Sequence, residues 1–189
     1  MVRKGLYAEI SEKPPLVPGY DLVGVIDAVG PGVTGFKTGQ RVADLTVWGA
    51  YTEYAIRPVA HLVPLPDGVD PVDAVSLTLS YTTAYQMLHR VADVQPDQRI
   101  LVHGASGAVG SALTQLARLD GIEVFGTASA RKHDYVRALG ADPIDYRSED
   151  VEARLGELCP DGIDVFFDNV GGDTLEAAIE HIADFGRIV

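Results

Sequence analysis

Cysteine is almost missing from this chain: one residue, Cys159, stands among 189. A single thiol excludes a disulfide framework and any multi-cysteine metal site, and it fits a reducing cytoplasm. Long apolar runs are missing too, and no stretch reaches the roughly 20 residues that a membrane helix needs. The opening MVRKGLY is basic but has no apolar stretch behind it, so it is not expected to act as a secretory signal. Positive charge is scarce, with 15 Lys and Arg against 27 Asp and Glu and a net charge of −12. The shortage is uneven. Residues 1–71 hold six cations against eight anions, whereas residues 72–189 hold nine against nineteen. Such acidity argues against nucleic acid as a partner, which would require phosphate neutralisation. It points to a protein that handles a small molecule away from the membrane.

What the chain does have is apolar content, 47% of residues, enough for a real core. Eight of its eleven prolines lie at or before Pro71. There the runs LVGVIDAVG, QRVADLTV and AYTEYAIRP are separated by Pro31-Gly32, Thr38-Gly39 and Trp48-Gly49. Short β-rich runs with regular turn punctuation predict a small barrel or sandwich. Asp70 before Pro71 predicts a capped helix over 71–92. From residue 97 the rhythm changes to strands alternating with helices. Strands are predicted at 99–103, 122–127, 143–146, 163–168 and from 186 onward. Helices are predicted at 107–119, 130–139, 149–158 and 173–183. The alternation predicts a parallel sheet with right-handed crossovers. There is no internal repeat and no low-complexity tract. The expected division is a first domain at 1–70, a connecting helix at 71–96 and an α/β domain at 97–189.

The stretch ILVHGASGAVG ends an apolar run in Gly104, Gly107 and Gly110. A tight strand–helix turn in any α/β domain could carry such spacing. The strand before it, the helix after it and the alternating series favour a dinucleotide-binding turn. The N–H groups of Ala108, Val109 and Gly110 would then face a pyrophosphate at a helix start. A P-loop is excluded because Gly110 is followed by Ser111-Ala112. A nucleophile elbow is excluded because Ala108 stands two residues after Ser106. Coenzymes without a 2′-phosphate usually meet an acid at the end of the second strand. Here that strand ends VFGTAS, Glu123 lies at its beginning, and Arg131 and Lys132 follow its tip. A hydroxyl and two cations would attract a 2′-phosphate, which indicates NADPH. Read without a ligand, the pair would be solvated first-turn residues.

Together these motifs resemble the medium-chain dehydrogenase/reductases. The matching stretches are VPGYDLVGVIDAVGPGVTGFKTGQRV, GAYTEYAIRP, LSYTTAYQML, ILVHGASGAVGSALTQLA and VFFDNVGGDTLEAAI. The most similar branch is the zinc-free quinone oxidoreductases, relatives of zeta-crystallin. The resemblance implies a GroES-like β-barrel domain, then a Rossmann doubly wound sheet. It also implies NADPH as hydride donor, a quinone or enone as acceptor, and a homodimer. Zinc enzymes of the superfamily carry Gly-His-Glu where this chain has Gly19-Tyr20-Asp21, and they carry a four-cysteine lobe that is absent here. His61, His89, His103, His133 and His181 show no ligand-like spacing, so no metal site is expected. By resemblance, Tyr7 lines the substrate side and Thr83 lies near the nicotinamide. Gly104, Ser106, Gly107, Ala108, Val109 and Gly110 form the pyrophosphate turn. Ser129 and Lys132, beside Arg131, contact the 2′-phosphate, Tyr146 lies near the adenine ribose phosphate, and Asn169 sits beside the cofactor. Tyr7 read alone would be a core aromatic, Tyr146 a surface tyrosine, and Asp168 a structural partner of the Gly171-Gly172 turn.

The family also places strands and an Asn-Pro-x-Asp segment ahead of R-x-G-x-Y, and a helix and a sixth strand beyond FGRIV. The chain is therefore expected to be an excerpt or a shortened product, truncated at both ends, with weak NADPH binding and poor catalysis. Two other readings stay open. One is a non-catalytic, crystallin-like NADPH-binding protein, and the other is an enoyl-thioester reductase.

Overall fold

The computed structural model describes residues 15–46 and 48–189. The chain divides after Leu79 into two compact units, Met1–Leu79 and Ser80–Val189.

In the first unit, β1 (Asp21–Val25), β2 (Arg41–Leu45) and β3 (Val63–Pro64) form an antiparallel sheet in that order. Val23 pairs with Ala43, and Val42 with Pro64. The ladder runs on past both ends of β1, through Thr46 N–H to Tyr20 O at 2.7 Å and Ile26 N–H to Gln40 O at 3.0 Å. The run AYTEYAIRP, expected to be β-rich, forms no strand among the described residues. Its first backbone bonds go to the segment before β1 instead: Ala50 and Tyr51 donate to Gly19 and Pro18 at 3.3 and 3.0 Å. A partly buried ion pair ties its far end to the sheet, with Arg57 Nε against the carboxylate of Asp44, whose side chain is 1% exposed. Between β1 and this run lies a largely apolar cavity of about 840 Å³, lined by Val23, Val25, Phe36, Val42, Ile56 and Leu62 among others. Asp70 caps α1 (Pro71–Thr78), its Oδ1 accepting from Val72 N–H at 2.7 Å and Asp73 N–H at 3.3 Å.

The helix expected over 71–92 is three helical segments in succession. After α1 come α2 (Ser80–Tyr85) and a π-turn, Gln86–Val91, closed by Ala92 N–H on Met87 O five residues back. The second unit then alternates strictly. Its strands are β4 (Arg99–His103), β5 (Glu123–Ala128), β6 (Asp142–Asp145), β7 (Ile163–Asp168) and β8 (Ile182–Ile188). Its helices are α3 (Ala108–Leu119), α4 (His133–Leu139), α5 (Val151–Leu158) and α6 (Asp173–Ile179). The sheet is parallel, in the order β6-β5-β4-β7-β8. Side chains of β4 alternate between two cores. Ile100 and Val102 join Ala112, Leu113, Val136 and Phe167 on one face, while Leu101 joins Phe125, Ile144, Leu155 and Phe166 on the other. Several predicted bounds shift: β5 and β6 by one residue, the starts of α3 and α5 by one and two, and β8 begins at Ile182 rather than 186. The helix over 130–139 opens as a 3₁₀ turn, Ala130–Lys132. The helix expected to reach residue 183 stops at Ile179, because the N–H of Ile163 on β7 takes the carbonyl of His181 at 2.8 Å and draws the chain into β8. β8 is irregular: Ile163 pairs with Ile182 but Val165 with Arg187, and Phe185 bulges out at φ +64°.

β4 and β7 are locked at their C-terminal ends. His103 and Asp168 lie side by side in register, with Nδ1 2.8 Å from Oδ1. The same oxygen accepts from Val170 N–H at 3.0 Å and Gly171 N–H at 2.8 Å, while Asn169 Nδ2 donates to His103 O at 3.1 Å. Burial alone would raise the Asp168 carboxyl, but those N–H groups and the His103 ring hold it below the usual carboxylate range. A carboxyl depressed in the folded state stabilises above its unfolded value, near 4, and loses that contribution as pH falls through the folded value. Thermal melts between pH 7 and pH 3 should therefore show a steep acid loss that Asp168→Asn flattens. At neutral pH that variant should cost about 1–3 kcal/mol. Cys159 gives a second check. It is 1% exposed, and burial pushes its thiol up to about 11. A thiol-specific chromogenic disulfide should leave the native protein untouched at pH 8 and label it fully once denatured.

Candidate nucleotide site

The turn between β4 and α3 is built from close contacts. Gly104 sits at φ +73°, a conformation that favours glycine, and a Cβ on Gly110 would lie 2.3 Å from Gly104 O. β5 holds the turn from beside: Thr127 Oγ1 accepts from Gly104 N–H at 3.1 Å and Thr127 O from Ala105 N–H at 3.0 Å. Gly107 closes the turn onto Gly104 O at 2.9 Å and is the N-cap of α3, without a side-chain cap. The first turn of a helix has no partners for its N–H groups further back. Here those groups belong to Ala108, Val109 and Gly110, and no acid occupies the first turn. Ser106 is half-buried beside them and Gly107 is exposed. Such a mouth, with the positive end of the helix dipole behind it, is suited to an anion.

The mouth lies where the strand order reverses, between β4 and β7, the crevice position of doubly wound sheets. Asn169 and Val170 follow β7 there. Asn169 is held by the His103 carbonyl, and Val170 Cγ2 stands 3.0 Å from where a Cβ on Gly104 would be.

A basic end adjoins it. Ala128 on β5 pairs with Asp145 on β6, so Ser129 and Tyr146 leave the sheet side by side. Arg131 and Lys132 are exposed in the 3₁₀ turn after Ser129. Lys132 Nζ lies 5.7 Å from the ring centre of Tyr135, whose hydroxyl donates to Ser111 Oγ at 3.1 Å on the first turns of α3. Asp145 is buried. The Ser148 hydroxyl, first, and the N–H groups of Arg147 and Ala130 hold its carboxyl below the usual range, against the opposing effect of burial. The structure thus gathers Gly104, Ser106, Gly107, Ala108, Val109, Gly110 and Asn169 at one mouth, and Ser129, Arg131, Lys132 and Tyr146 at the neighbouring strand ends. Thr83 sits half-buried on α2, which packs along α3 and is tied to it by Tyr81 OH donating to Gln115. Tyr7 lies outside the described residues.

Tyr135, Asp145 and Arg147 escape the sequence reading. The signal for Tyr135 is its place three residues beyond Lys132 on one helical face. That for Arg147 is a cation directly after Tyr146 in an otherwise acidic stretch. Asp145 gives no signal, since its burial depends on the register of β5 and β6.

The histidines are dispersed. His103 is held by Asp168, His89 lies 3.6 Å from Asp120 and packs on Tyr85, and His133 Nε2 is 3.3 Å from Ala128 O. Among the described residues no three His, Cys, Asp or Glu side chains converge as a metal site would require. Nor is any helix among them long and apolar enough to cross a membrane.

Known proteins are similar to nearly all of this chain. Residues 1–67 match the alcohol dehydrogenase GroES-like domain family, and residues 108–189 match the zinc-binding dehydrogenase family. The zebrafish (Danio rerio) synaptic vesicle membrane protein VAT-1 homolog is 37% identical over 191 residues, 100% of this chain and 39% of its own length. The quinone oxidoreductase of Pseudomonas syringae superposes with a TM-score of 0.91 at 39% identity, over 98% of this chain and 58% of that one. The Escherichia coli quinone oxidoreductase, solved complexed with NADPH, superposes with a TM-score of 0.90 at 30% identity, over 99% and 58%. The chain spans about half the length of the curated relatives it matches. It belongs to the medium-chain dehydrogenase/reductases, in their quinone oxidoreductase branch, with a GroES-like portion followed by a Rossmann-like portion.

Proposed function

We propose that the chain binds NADPH and serves a zinc-independent reduction of a quinone or an α,β-unsaturated carbonyl. The observation that carries this reading is the uncapped start of α3 at the reversal of the sheet, with a basic end beside it. The residues present fit the coenzyme. The N–H groups of Ala108, Val109 and Gly110, with the Ser106 hydroxyl, would take the diphosphate, and exposed Gly107 lets it approach the backbone. Ser129, Arg131, Lys132 and Tyr146 would take the 2′-phosphate. Thr83 and Asn169 would flank the nicotinamide. NADPH, when bound, supplies a hydride.

Tyr7 is the residue proposed to face the acceptor, where its hydroxyl would stabilise negative charge developing on the carbonyl oxygen. Such an acceptor is already activated by conjugation and needs less polarisation than an alcohol does. The proton that completes the reduction would come from water or a hydroxyl. Zinc independence is supported by Gly19-Tyr20-Asp21 standing where zinc enzymes carry Gly-His-Glu, and by the dispersed histidines. The quinone oxidoreductases among the relatives, one solved with NADPH, support both coenzyme and acceptor class. A cytoplasmic location and a homodimeric full-length enzyme complete the proposal.

Consumption of NADPH with a simple quinone, followed by the loss of reduced-nicotinamide absorbance, tests the reading as a whole. Activity should survive a chelator unchanged, and a loss that added zinc restores would contradict zinc independence. Titration calorimetry should show Lys132→Ala weakening NADPH by roughly 1–3 kcal/mol with a much smaller effect on NADH. Equal losses would show that no 2′-phosphate sits there. Gly107→Val should abolish binding of both coenzymes while leaving the melting temperature within a few degrees, since residue 107 is exposed.

A further inference from the structure

We infer that Arg147 is an additional recognition residue for the coenzyme's 2′-phosphate, working as a pair with Tyr146. The inference rests on the NADPH reading and extends it to a residue on the second loop of the basic end.

The pairing of Ala128 with Asp145 sends the loops after β5 and β6 off the sheet as neighbours. One buried carboxylate then ties them together. Asp145 accepts from the N–H of Arg147 at 3.2 Å and the hydroxyl of Ser148 at 2.6 Å on its own loop, and from the Ala130 N–H on the other. The start of the Arg147 side chain is thereby placed beside the segment that carries Ser129, Arg131 and Lys132.

The Arg147 guanidinium folds over the Tyr146 ring, 5.5 Å from its centre, and Nε donates to the Tyr146 hydroxyl at 3.2 Å. A phenol oxygen that accepts from a cation has its own proton directed elsewhere, free to be donated to an anionic oxygen. The remaining guanidinium N–H groups keep the forked geometry that suits phosphate. The acids that follow Arg147 in sequence are engaged elsewhere. Glu149 takes the Asp145 N–H at 2.9 Å and lies 3.7 Å from Arg154, while Asp150 caps α5 through Ala153 N–H at 3.1 Å. Arg154 on the following helix faces two carboxylates, but among the described residues Arg147, like Arg131 on the neighbouring loop, enters no ion pair. An exposed arginine left unpaired in so acidic a stretch, and braced against a tyrosine, is suited to an anion from outside the chain.

The test uses the full chain, its Arg147→Gln, Tyr146→Phe and double variants, and titrations with NADPH, NADH, 2′,5′-ADP and 5′-AMP at two salt concentrations. Arg147→Gln should weaken NADPH and 2′,5′-ADP roughly tenfold, and NADH and 5′-AMP less than about twofold. It should also reduce the salt sensitivity of NADPH binding. The double variant should lose less than the product of the two single losses, because the residues act as a pair. Arg147 is exposed, so the melting temperature should stay unchanged. If the chain itself binds NADPH no better than NADH, both the coenzyme reading and this inference fall. If it prefers NADPH and Arg147→Gln keeps that preference while Lys132→Ala removes it, the inference falls alone. Multiplicative losses in the double variant would overturn the pairing with Tyr146.

Discussion

The absence of one carbon atom organises the nucleotide end of this protein. Gly104 O occupies the space that a Cβ of residue 110 would need, 2.3 Å away, so α3 can lie this close to the end of β4 only with glycine there. Everything else follows from that approach. The first-turn amides of α3 face outward at the end of the sheet. Thr127 reaches across from β5 to hold the turn, and Ser111 links it to Tyr135 on α4. Any side chain at residue 110 would lift the helix and disperse these contacts together.

Around that approach, two carboxylates, one buried and one partly buried, arrange the loops. Asp168 ends β7 and Asp145 ends β6, and each gathers backbone N–H groups from the residues just after it. Each also reaches sideways, Asp168 to His103 on β4 and Asp145 to the Ala130 N–H after β5. The result is a row of strand ends whose loops are fixed to one another as well as to their own strands. Hydrogen bonds to ionised carboxylates are among the stronger polar contacts, and this suits loops that must present ligands without rearranging.

The alternating half was legible because its signals are local. Apolar runs such as ILVH and IDVFFD have the length of buried strands, and β4 and β7 begin and end where the sequence places them. Gly140 marked a helix end through its left-handed backbone, and the Asp70-Pro71 pair marked a helix start through a capping carboxylate and a fixed φ. Failures came where a distant partner decides. Residues 173–183 have a helical pattern, yet the edge of β7 claims everything from Ile182 as strand. AYTEYAIRP has strand-like residues, but strand needs a ladder, and its amides find Pro18 and Gly19 instead. The same division holds at the site. The glycine turn and the Arg131–Lys132 pair are contiguous and could be seen. Tyr135, Asp145 and Arg147 gain their meaning only from the register of β5 with β6 and from the packing of α4 beside α3.

The order β6-β5-β4-β7-β8 also governs how the second unit can be assembled during synthesis. β4 emerges from the ribosome first and ends up in the middle. β5 and β6 can add to one flank at once, but the other flank has to wait for β7, which begins sixty residues after His103. At 5–20 residues per second that is about 3–12 s, during which Ile100, Leu101 and Val102 belong to an open edge. Exposed apolar edges recruit other chains. Nascent copies of this protein are therefore most vulnerable to coaggregation, and most in need of a chaperone, in the interval between the completion of α3 and the arrival of β7.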